Sequence, residues 1–303
     1  MQNIERVTTH LRQKIIAAGG NPDRETLNLI PTVEGKTFYK TPDGNYWRAY
    51  IFIEDALTYQ VVENLQHIYN AAAAFGKFQK LLGDFPAGQL YETIPNFHHT
   101  GKRFTAFVEA VENDVKNRAG AVKAEIEFAQ QRAAEAPVLV DLLAQGKLPE
   151  RVTHNDTKFN NVMIDDKTGA GICVIDLDTV MPGLSLYDFG DSVRTGAATA
   201  AEDEQDLSKA GIGLEIFDHL THGFLDAVRD VLTPTEIDYL PFAAKLITFE
   251  NGIRFLTDHL AGDVYFKIHR ENHNLDRSRT QFKMVKDMEE KFDQMTKIVE
   301  KYR

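Results

Sequence analysis

Apolar residues in the first segment of the chain follow the spacing of an amphipathic helix and then of short strands. They recur at every third or fourth position over residues 4–15, and Gly19 and Gly20 end the pattern. The stretches 27–33 and 46–53 are rich in strand-forming residues and are separated by turn-forming segments. The pattern therefore predicts a helix followed by a small sheet.

From about residue 57 onward the hydrophobic period is helical. It predicts one long helix over 61–82, two helices between 101 and 147 with a start at Pro137, and three later helices over 206–231, 234–260 and 280–302. These elements predict an α+β protein with a small mixed N-terminal lobe (residues 1–54) that ends in a hinge, and a large helical lobe (residues 55–303).

A predicted β-hairpin over 161–176 interrupts the helices. Apolar strands flank a turn, and a turn centred at residue 168 or 169 would place Asn161 opposite Asp176. Directly opposed residues lie about 5 Å apart. Two oxygen-bearing side chains at one end of a hairpin suit Mg²⁺, which prefers oxygen ligands and completes its shell with phosphate and water.

The loop before the hairpin has the H-x-D-x-x-x-x-N spacing of a kinase catalytic loop, formed by His154, Asp156 and Asn161. Phosphoryl transfer needs a carboxylate that orients the acceptor hydroxyl and ligands for the metal that neutralises the phosphates. Lys158 is a candidate contact for the transferred phosphate. Each residue also has a structural alternative, as a cap, a turn residue or a solvated side chain, and for His154 we favour a hydrogen bond that shapes the loop.

Net charge and cysteine content limit the ligands and the cellular compartment that the protein can have. The 303 residues carry 34 basic and 45 acidic side chains, a net charge of −11, which disfavours binding to nucleic acid or an anionic membrane. Phosphates then require a local cation or a metal. The single cysteine, Cys173, excludes an intrachain disulfide and fits a reducing cytoplasm. Neither a membrane-spanning run nor a signal peptide is visible, so we expect a cytoplasmic monomer or weak homodimer.

The sequence resembles the aminoglycoside phosphotransferase and choline kinase superfamily, and within it most of all the N-acetylhexosamine 1-kinase family. The segments that carry the resemblance are HNDTKFNNVM, VIDLDTVMPG, YDFGDSVR and ENGIRFLTDHLAGDVYF. It implies a protein-kinase-like bilobal fold and Mg²⁺-dependent transfer from ATP to the anomeric hydroxyl of N-acetylglucosamine or N-acetylgalactosamine. A kinase for an aminoglycoside, choline or homoserine, or a non-catalytic pseudokinase that binds nucleotide or a partner, is the alternative.

The resemblance also implies a role for each residue of the catalytic loop and hairpin. Asp156 would be the catalytic base, and Asn161 and Asp176 would bind the metal. Asp178, two residues further along an extended chain, would support the metal or the sugar. These roles agree with the chemistry inferred from the spacing.

Other expected site residues lie outside that segment. Arg254 and Tyr265 match sugar-contacting positions, with surface pairing and core packing as their respective alternatives. Adenine would be held by main-chain groups of Phe52, Ile53 and Glu54.

A second set of residues is expected to support the site from below, and the N-terminus departs from the family pattern. Asp188 and Arg194 would form a structural pair, with His154 shaping the loop. The glycines at 19, 20, 35 and 44 do not form the Gly-rich turn that covers the ATP phosphates in this family. We therefore expect an N-terminally shortened kinase with an open sheet edge and, since a phosphate clamp contributes positioning, weakened ATP binding.

Overall fold

The computed structural model describes residues 1–59 and 64–303, and it begins with an amphipathic helix. Helix α1 (Gln2–Ala17) buries the apolar face that the period predicts. The short helix α2 (Pro22–Glu25) follows, and the side chain of its capping residue Asn21 accepts a hydrogen bond from the Asp23 N–H.

Strand structure in this segment is shorter than predicted. Strands β1 (Tyr39–Lys40) and β2 (Tyr46–Trp47) form an antiparallel pair, and a single bridge joins Leu29 to Tyr50. The two predicted strands are therefore wrong in extent. Of their apolar residues, Leu27 and Ile53 are buried, whereas Val33 is exposed and Trp47 remains 65% exposed.

The hairpin predicted over 161–176 is present. Its strands β5 (Val162–Asp165) and β6 (Gly171–Val174) form an antiparallel sheet with β3 (Ala56–Leu57). A second antiparallel pair consists of β4 (Arg151–Thr153) and β7 (Met181–Gly183). Strand β4 leads into the predicted catalytic loop, and β6 leads out of the hairpin toward Asp176.

The register of this hairpin differs from the predicted one by one residue. Val162 is opposite Val174, and the Ile175 N–H donates to the carbonyl oxygen of Asn161 at 2.9 Å. Asn161 is therefore opposite Ile175 and not Asp176. Asp176 leaves the ladder with a φ of +59°, a left-handed conformation that turns the chain sharply.

Helices make up most of the remaining chain. Their bounds are α3 (Leu65–Leu81), α4 (Thr100–Asn113), α5 (Lys123–Gln130), α6 (Val138–Ala144), α7 (Ser185–Gly196), α8 (Leu214–Val228), α9 (Pro234–Asp238), α10 (Leu240–Ala261), α11 (His273–Glu290) and α12 (Phe292–Tyr302). Asn64 caps α3, and residues 61–63 of the helix predicted there lie outside the described residues. Helix α6 follows Pro137 as predicted, but three helices occupy a region for which two were predicted.

Other helix boundaries differ from the predicted ones where turns interrupt the helical spacing of apolar residues. Two predicted helices are each divided in two, at Tyr239 and at Lys291, and the helix predicted from residue 206 begins at Leu214. The first division is explained by Pro241 in the first turn of α10, because proline cannot donate to the preceding turn and favours a helix start.

Helix α7 was not predicted, because burial on every side removes the polar face that reveals a helical period. Every residue over 185–194 is buried. At Gly190 a Cβ atom would lie 2.7 Å from the carbonyl oxygen of Ala243, so α7 and α10 pack backbone to backbone. Helix α7 also packs against β4, the strand that leads into the predicted catalytic loop.

Two hydrophobic clusters form the core. One cluster contains residues of the helices α4 through α8 and of α10, α11 and α12. The other contains residues of α1, Ile53, α3 and the hairpin. The N-terminal segment before the hinge thus shares its core with the hairpin that carries the predicted site. Among the described residues, no helix combines the length and apolar character needed to cross a bilayer.

Candidate active site

The loop after β4 is anchored by the buried carboxylate of Asp188 in α7. Its oxygens accept hydrogen bonds from the N–H groups of His154 at 3.0 Å and Asn155 at 2.8 Å, and from the Gln79 amide at 2.9 Å. Burial raises the pKa of Asp188, while these donors oppose the rise. The loop is consequently held to the helix beneath it immediately before Asp156.

His154 connects the same loop to the hairpin. Its ring is fully buried, with Nε2 2.8 Å from the carbonyl oxygen of Ile175, and Phe75 and Phe78 pack edge-on around it. The Asp156 N–H lies 3.2 Å from Nδ1, so Nδ1 accepts and Nε2 donates. The position of His154 is that of a residue that shapes the loop.

A second buried carboxylate, Asp191, anchors the loop immediately after Asp156. It accepts from the Thr157 N–H at 3.0 Å and from Arg194 Nε at 2.9 Å. Burial alone would raise the pKa of Asp191, but the Arg194 guanidinium, together with the charges of His98 and Lys158, outweighs burial and holds the pKa below its usual value. The Nη1 group of Arg194 donates a hydrogen bond to Glu202 Oε1.

The expected pair of Asp188 and Arg194 is therefore wrong. Arg194 lies six positions after Asp188 in α7, whereas helical neighbours are three or four positions apart, and Asp191 occupies that nearer position. Asp191 was missed by sequence reasoning, although its spacing to Arg194 was the available signal.

Asp156 and Lys158 face a cavity of about 370 Å³. Lys158 Nζ lies 2.8 Å from Asp156 Oδ1, and both side chains are partly exposed. Asn161 donates from Nδ2 to the carbonyl oxygen of Asp156 at 2.9 Å. Its own Oδ1 accepts no hydrogen bond from the residues that the structure describes, which leaves that oxygen available to a ligand.

Two further carboxylates, Asp176 and Asp178, follow the hairpin. Burial and the charges of Asp178 and Asp156 raise the pKa of Asp176. Arg48 bonds to Asp178 at 2.6 Å and lowers the pKa of that carboxyl despite its partial burial. Sequence reasoning missed Arg48, because nothing in the sequence links it to an aspartate 130 residues away.

These oxygens have the chemistry of a Mg²⁺ site. The Asn161 oxygen and the Asp176 carboxylate are hard ligands, and a cation would offset the mutual repulsion of Asp156, Asp176 and Asp178. The described ranges 1–59 and 64–303 contain no cluster of three or more His, Cys, Asp or Glu side chains that could hold a metal without further ligands. A metal held by Asn161 and Asp176 would take its remaining ligands from phosphate and water.

The predicted hinge consists of residues 52–54. The N–H groups of Phe52, Ile53 and Glu54 make no hydrogen bond to any described region of the chain. Phe52 is 80% exposed and Ile53 is buried, so one side of the segment faces solvent.

Arg24 holds this segment to the hairpin. It donates to the carbonyl oxygens of Glu54 at 3.0 Å and Asp55 at 3.1 Å, and to the Asp165 carboxylate at 2.9 Å. The Thr168 N–H and Arg24 lower the pKa of Asp165. Sequence reasoning did not single out Arg24, since its partners are distant in sequence.

Arg254 borders the same cavity as Asp156. Its guanidinium carbon lies 5.3 Å from the Phe97 ring centre and 5.5 Å from that of Phe266. Its one hydrogen bond to a described residue is a long one, 3.4 Å, to Asn251. Tyr265 lines an adjacent cavity and is 67% exposed, so the alternative of core packing is wrong for Tyr265.

A helical lobe built around an H-x-D loop and a following hairpin defines a protein-kinase-like fold. The sequence model of the phosphotransferase enzyme family matches residues 25–220. The chain belongs to this family. It is a small-molecule kinase of the aminoglycoside phosphotransferase and choline kinase superfamily.

Solved structures show the same fold at low sequence identity. An aminoglycoside phosphotransferase from Alicyclobacillus acidocaldarius superposes with a TM-score of 0.65 at 12% identity, covering 99% of this chain and 84% of that one. A microcompartment-associated aminopropanol kinase gives 0.52 at 12% identity, with coverage of 98% and 83%. A choline/ethanolamine kinase family protein from Mesorhizobium loti gives 0.50 at 14% identity, with coverage of 96% and 82%.

Proposed function

We propose that this protein transfers the γ-phosphoryl group of ATP to the anomeric hydroxyl of an N-acetylhexosamine, producing the sugar 1-phosphate and ADP. The observation that carries this proposal is the cavity shared by Asp156 and Arg254. It combines a carboxylate able to take a hydroxyl proton with a guanidinium that makes no hydrogen bond or ion pair with a described carboxylate.

Asp156 is the proposed catalytic base. The acceptor oxygen forms a bond to the γ-phosphorus, the bond from that phosphorus to the β,γ-bridging oxygen breaks, and the hydroxyl proton passes to Asp156. Lys158, 2.8 Å from Asp156, is placed to approach the transferred phosphoryl group. Asp188 and Asp191 anchor the loop before and after the base, which fixes its position relative to the acceptor.

The nucleotide side of the site consists of the hairpin end and the hinge. Asn161 and Asp176 would hold Mg²⁺, which supplies positive charge to the nucleotide phosphates. Asp178, oriented by Arg48, supports this pair. The main-chain groups of 52–54 are proposed to bind adenine, so that the N-terminal lobe (1–54) ends in the hinge and residues 55–303 form the helical lobe.

The acceptor is proposed to be a sugar because of Arg254. A binding pocket for an ammonium group favours carboxylates or open aromatic faces, whereas a guanidinium repels it. Here Arg254 already lies over Phe97 and Phe266. Its remaining N–H groups suit hydroxyl and acetamido oxygens. A cytoplasmic location completes the proposal, since ATP and a reduced Cys173 are typical of that compartment.

An acceptor panel tests this function directly. We expect ADP release from Mg·ATP to depend on N-acetylglucosamine or N-acetylgalactosamine and to produce an acid-labile sugar 1-phosphate. Choline, aminopropanol and an aminoglycoside, added at equal concentration, should give only the background rate. Faster turnover of any of these amines than of both sugars would refute the sugar assignment and favour an amino-alcohol or aminoglycoside kinase.

A further inference from the structure

A second cavity, of about 220 Å³, opens beside the one that contains Asp156. The two cavities share Arg254 and Phe266. The Arg254 side chain therefore borders both cavities.

Two guanidinium groups line this second cavity. Besides Arg254, it contains the half-buried Arg103, which donates from Nε and one Nη to the carbonyl oxygen of Phe97 at 3.2 and 3.1 Å. Burial and the nearby charge of Arg254 lower the pKa of Arg103. Neither guanidinium makes a hydrogen bond or ion pair with a carboxylate among the residues that the structure describes.

The acids closest to these arginines have other partners. Asp258, in the cavity wall, accepts hydrogen bonds from the N–H groups of residues 264–266. Glu250 is fully buried and accepts from His98 at 2.8 Å and Thr100 at 2.6 Å. Both carboxylates are thus hydrogen-bonded elsewhere. The charge of Glu250 acts on Arg103 and Arg254 from nearby, but neither guanidinium is directly bonded to an anion within the described part of the chain.

The remaining walls are mostly apolar: they are formed by Ala106, Ala261, Val264, Tyr265 and Phe266, and by Thr257, whose hydroxyl donates to the carbonyl oxygen of Ile253. Few polar groups here compete with the guanidiniums, and apolar surroundings strengthen their attraction for an anion. Guanidinium groups match the paired oxygens of sulfate, phosphate and carboxylate groups.

We infer that the Arg103–Arg254 cavity binds an oxyanion carried by the acceptor, at the end remote from the hydroxyl that is phosphorylated. The preferred acceptor class is then an acidic N-acetylhexosamine, such as a sulfated or phosphorylated one. This inference rests on the proposed function, since it assumes that the sugar lies between Asp156 and Arg254.

The test compares N-acetylglucosamine with its 6-sulfate and its 6-phosphate, because position 6 lies far from the anomeric hydroxyl. We expect kcat/KM to be about tenfold or more higher for both acidic sugars, mainly through KM. Arg103→Gln should reduce the acidic-to-neutral ratio to about one. Lys102→Gln removes the same charge from an exposed neighbour outside the cavity and should preserve the ratio.

The outcomes separate this inference from the proposed function. Turnover of the neutral sugar with no preference for the acidic ones overturns the inference and leaves the function standing. If no sugar is phosphorylated, the function fails, and calorimetry with the 6-sulfate still tests the cavity. If Arg103→Gln binds the 6-sulfate more weakly than the wild type does, the proposed oxyanion site is supported. If the variant binds it equally well, or if inorganic sulfate alone binds as tightly as the sulfated sugar, the proposed site is overturned.

Discussion

Replacing Arg194 with methionine should destabilise the protein more than replacing an exposed arginine. The Arg194 and Asp191 side chains are 8% and 4% exposed, and the variant leaves the Asp191 carboxylate buried without its nearest cation. Removing one partner of a buried ion pair costs about 3–5 kcal/mol. At a few degrees per kcal/mol for a chain of this size, the thermal midpoint should fall by roughly 10 °C.

Urea and thermal unfolding of Arg194→Met measure this cost, and Arg279→Met is the matched control. Arg279 pairs with Glu125 at 2.6 Å but is 38% exposed, so its loss should cost about 1 kcal/mol or less. The double variant Asp191→Asn/Arg194→Met should recover some of the stability lost in Arg194→Met, because no charge is left buried.

The pH dependence provides an independent check. In the wild type the pKa of Asp191 is lowered, so its contribution is present above the unfolded value near 4 and is lost as the pH falls through the folded value. Without Arg194, burial should raise the pKa of Asp191. The carboxylate of the variant then takes up a proton at mildly acidic pH, which removes the buried unpaired charge. The stability gap should therefore narrow between pH 7 and pH 4. A gap no larger than that of Arg279→Met, or one that widens toward pH 4, would refute this reasoning.

Three further predictions concern the hinge, the packing of α7 and the buried thiol. Arg24→Ala should raise KM for ATP about three- to tenfold by loosening the hinge. Lys167→Ala, which removes an exposed ion pair, should leave KM unchanged. Equal KM values for the two variants would contradict the role of Arg24 in holding the hinge. Gly190→Ala should cost about 1–3 kcal/mol in urea unfolding because its Cβ meets the α10 backbone, unlike Gly120→Ala in open space. Burial raises the pKa of Cys173 to about 12, so a thiol reagent at pH 8 should react only after unfolding, and rapid modification of the folded protein would contradict this.

The local features of the site could be predicted from the sequence because their geometry is set by chain spacing. The H-x-D-x-x-x-x-N spacing placed His154, Asp156 and Asn161 in one loop, and two short apolar runs around a turn located the hairpin. The register was off by one because the turn is centred between Lys167 and Thr168, as the Asp165 N–H bond to the Ala170 carbonyl oxygen shows, and the bulge between Met163 and Ile164 offsets only part of this shift. A bulge leaves no clear signal in a single sequence.

The supporting contacts could not be predicted because they depend on packing between distant segments. Arg48 meets Asp178, and Arg24 meets Asp165, across more than a hundred residues of chain. Helix α7 was invisible to periodicity because it is buried on every side.

The most direct test of the account is the sugar-dependent release of ADP by Asp156→Asn. A lost general base should reduce kcat by about 10²–10⁴-fold. Asp166→Asn, an exposed acid in the hairpin turn, should retain the wild-type rate. Equal thermal midpoints would show that both variants are folded. If Asp156→Asn kept more than a tenth of the wild-type rate, Asp156 would not be the base and the proposed mechanism would be wrong.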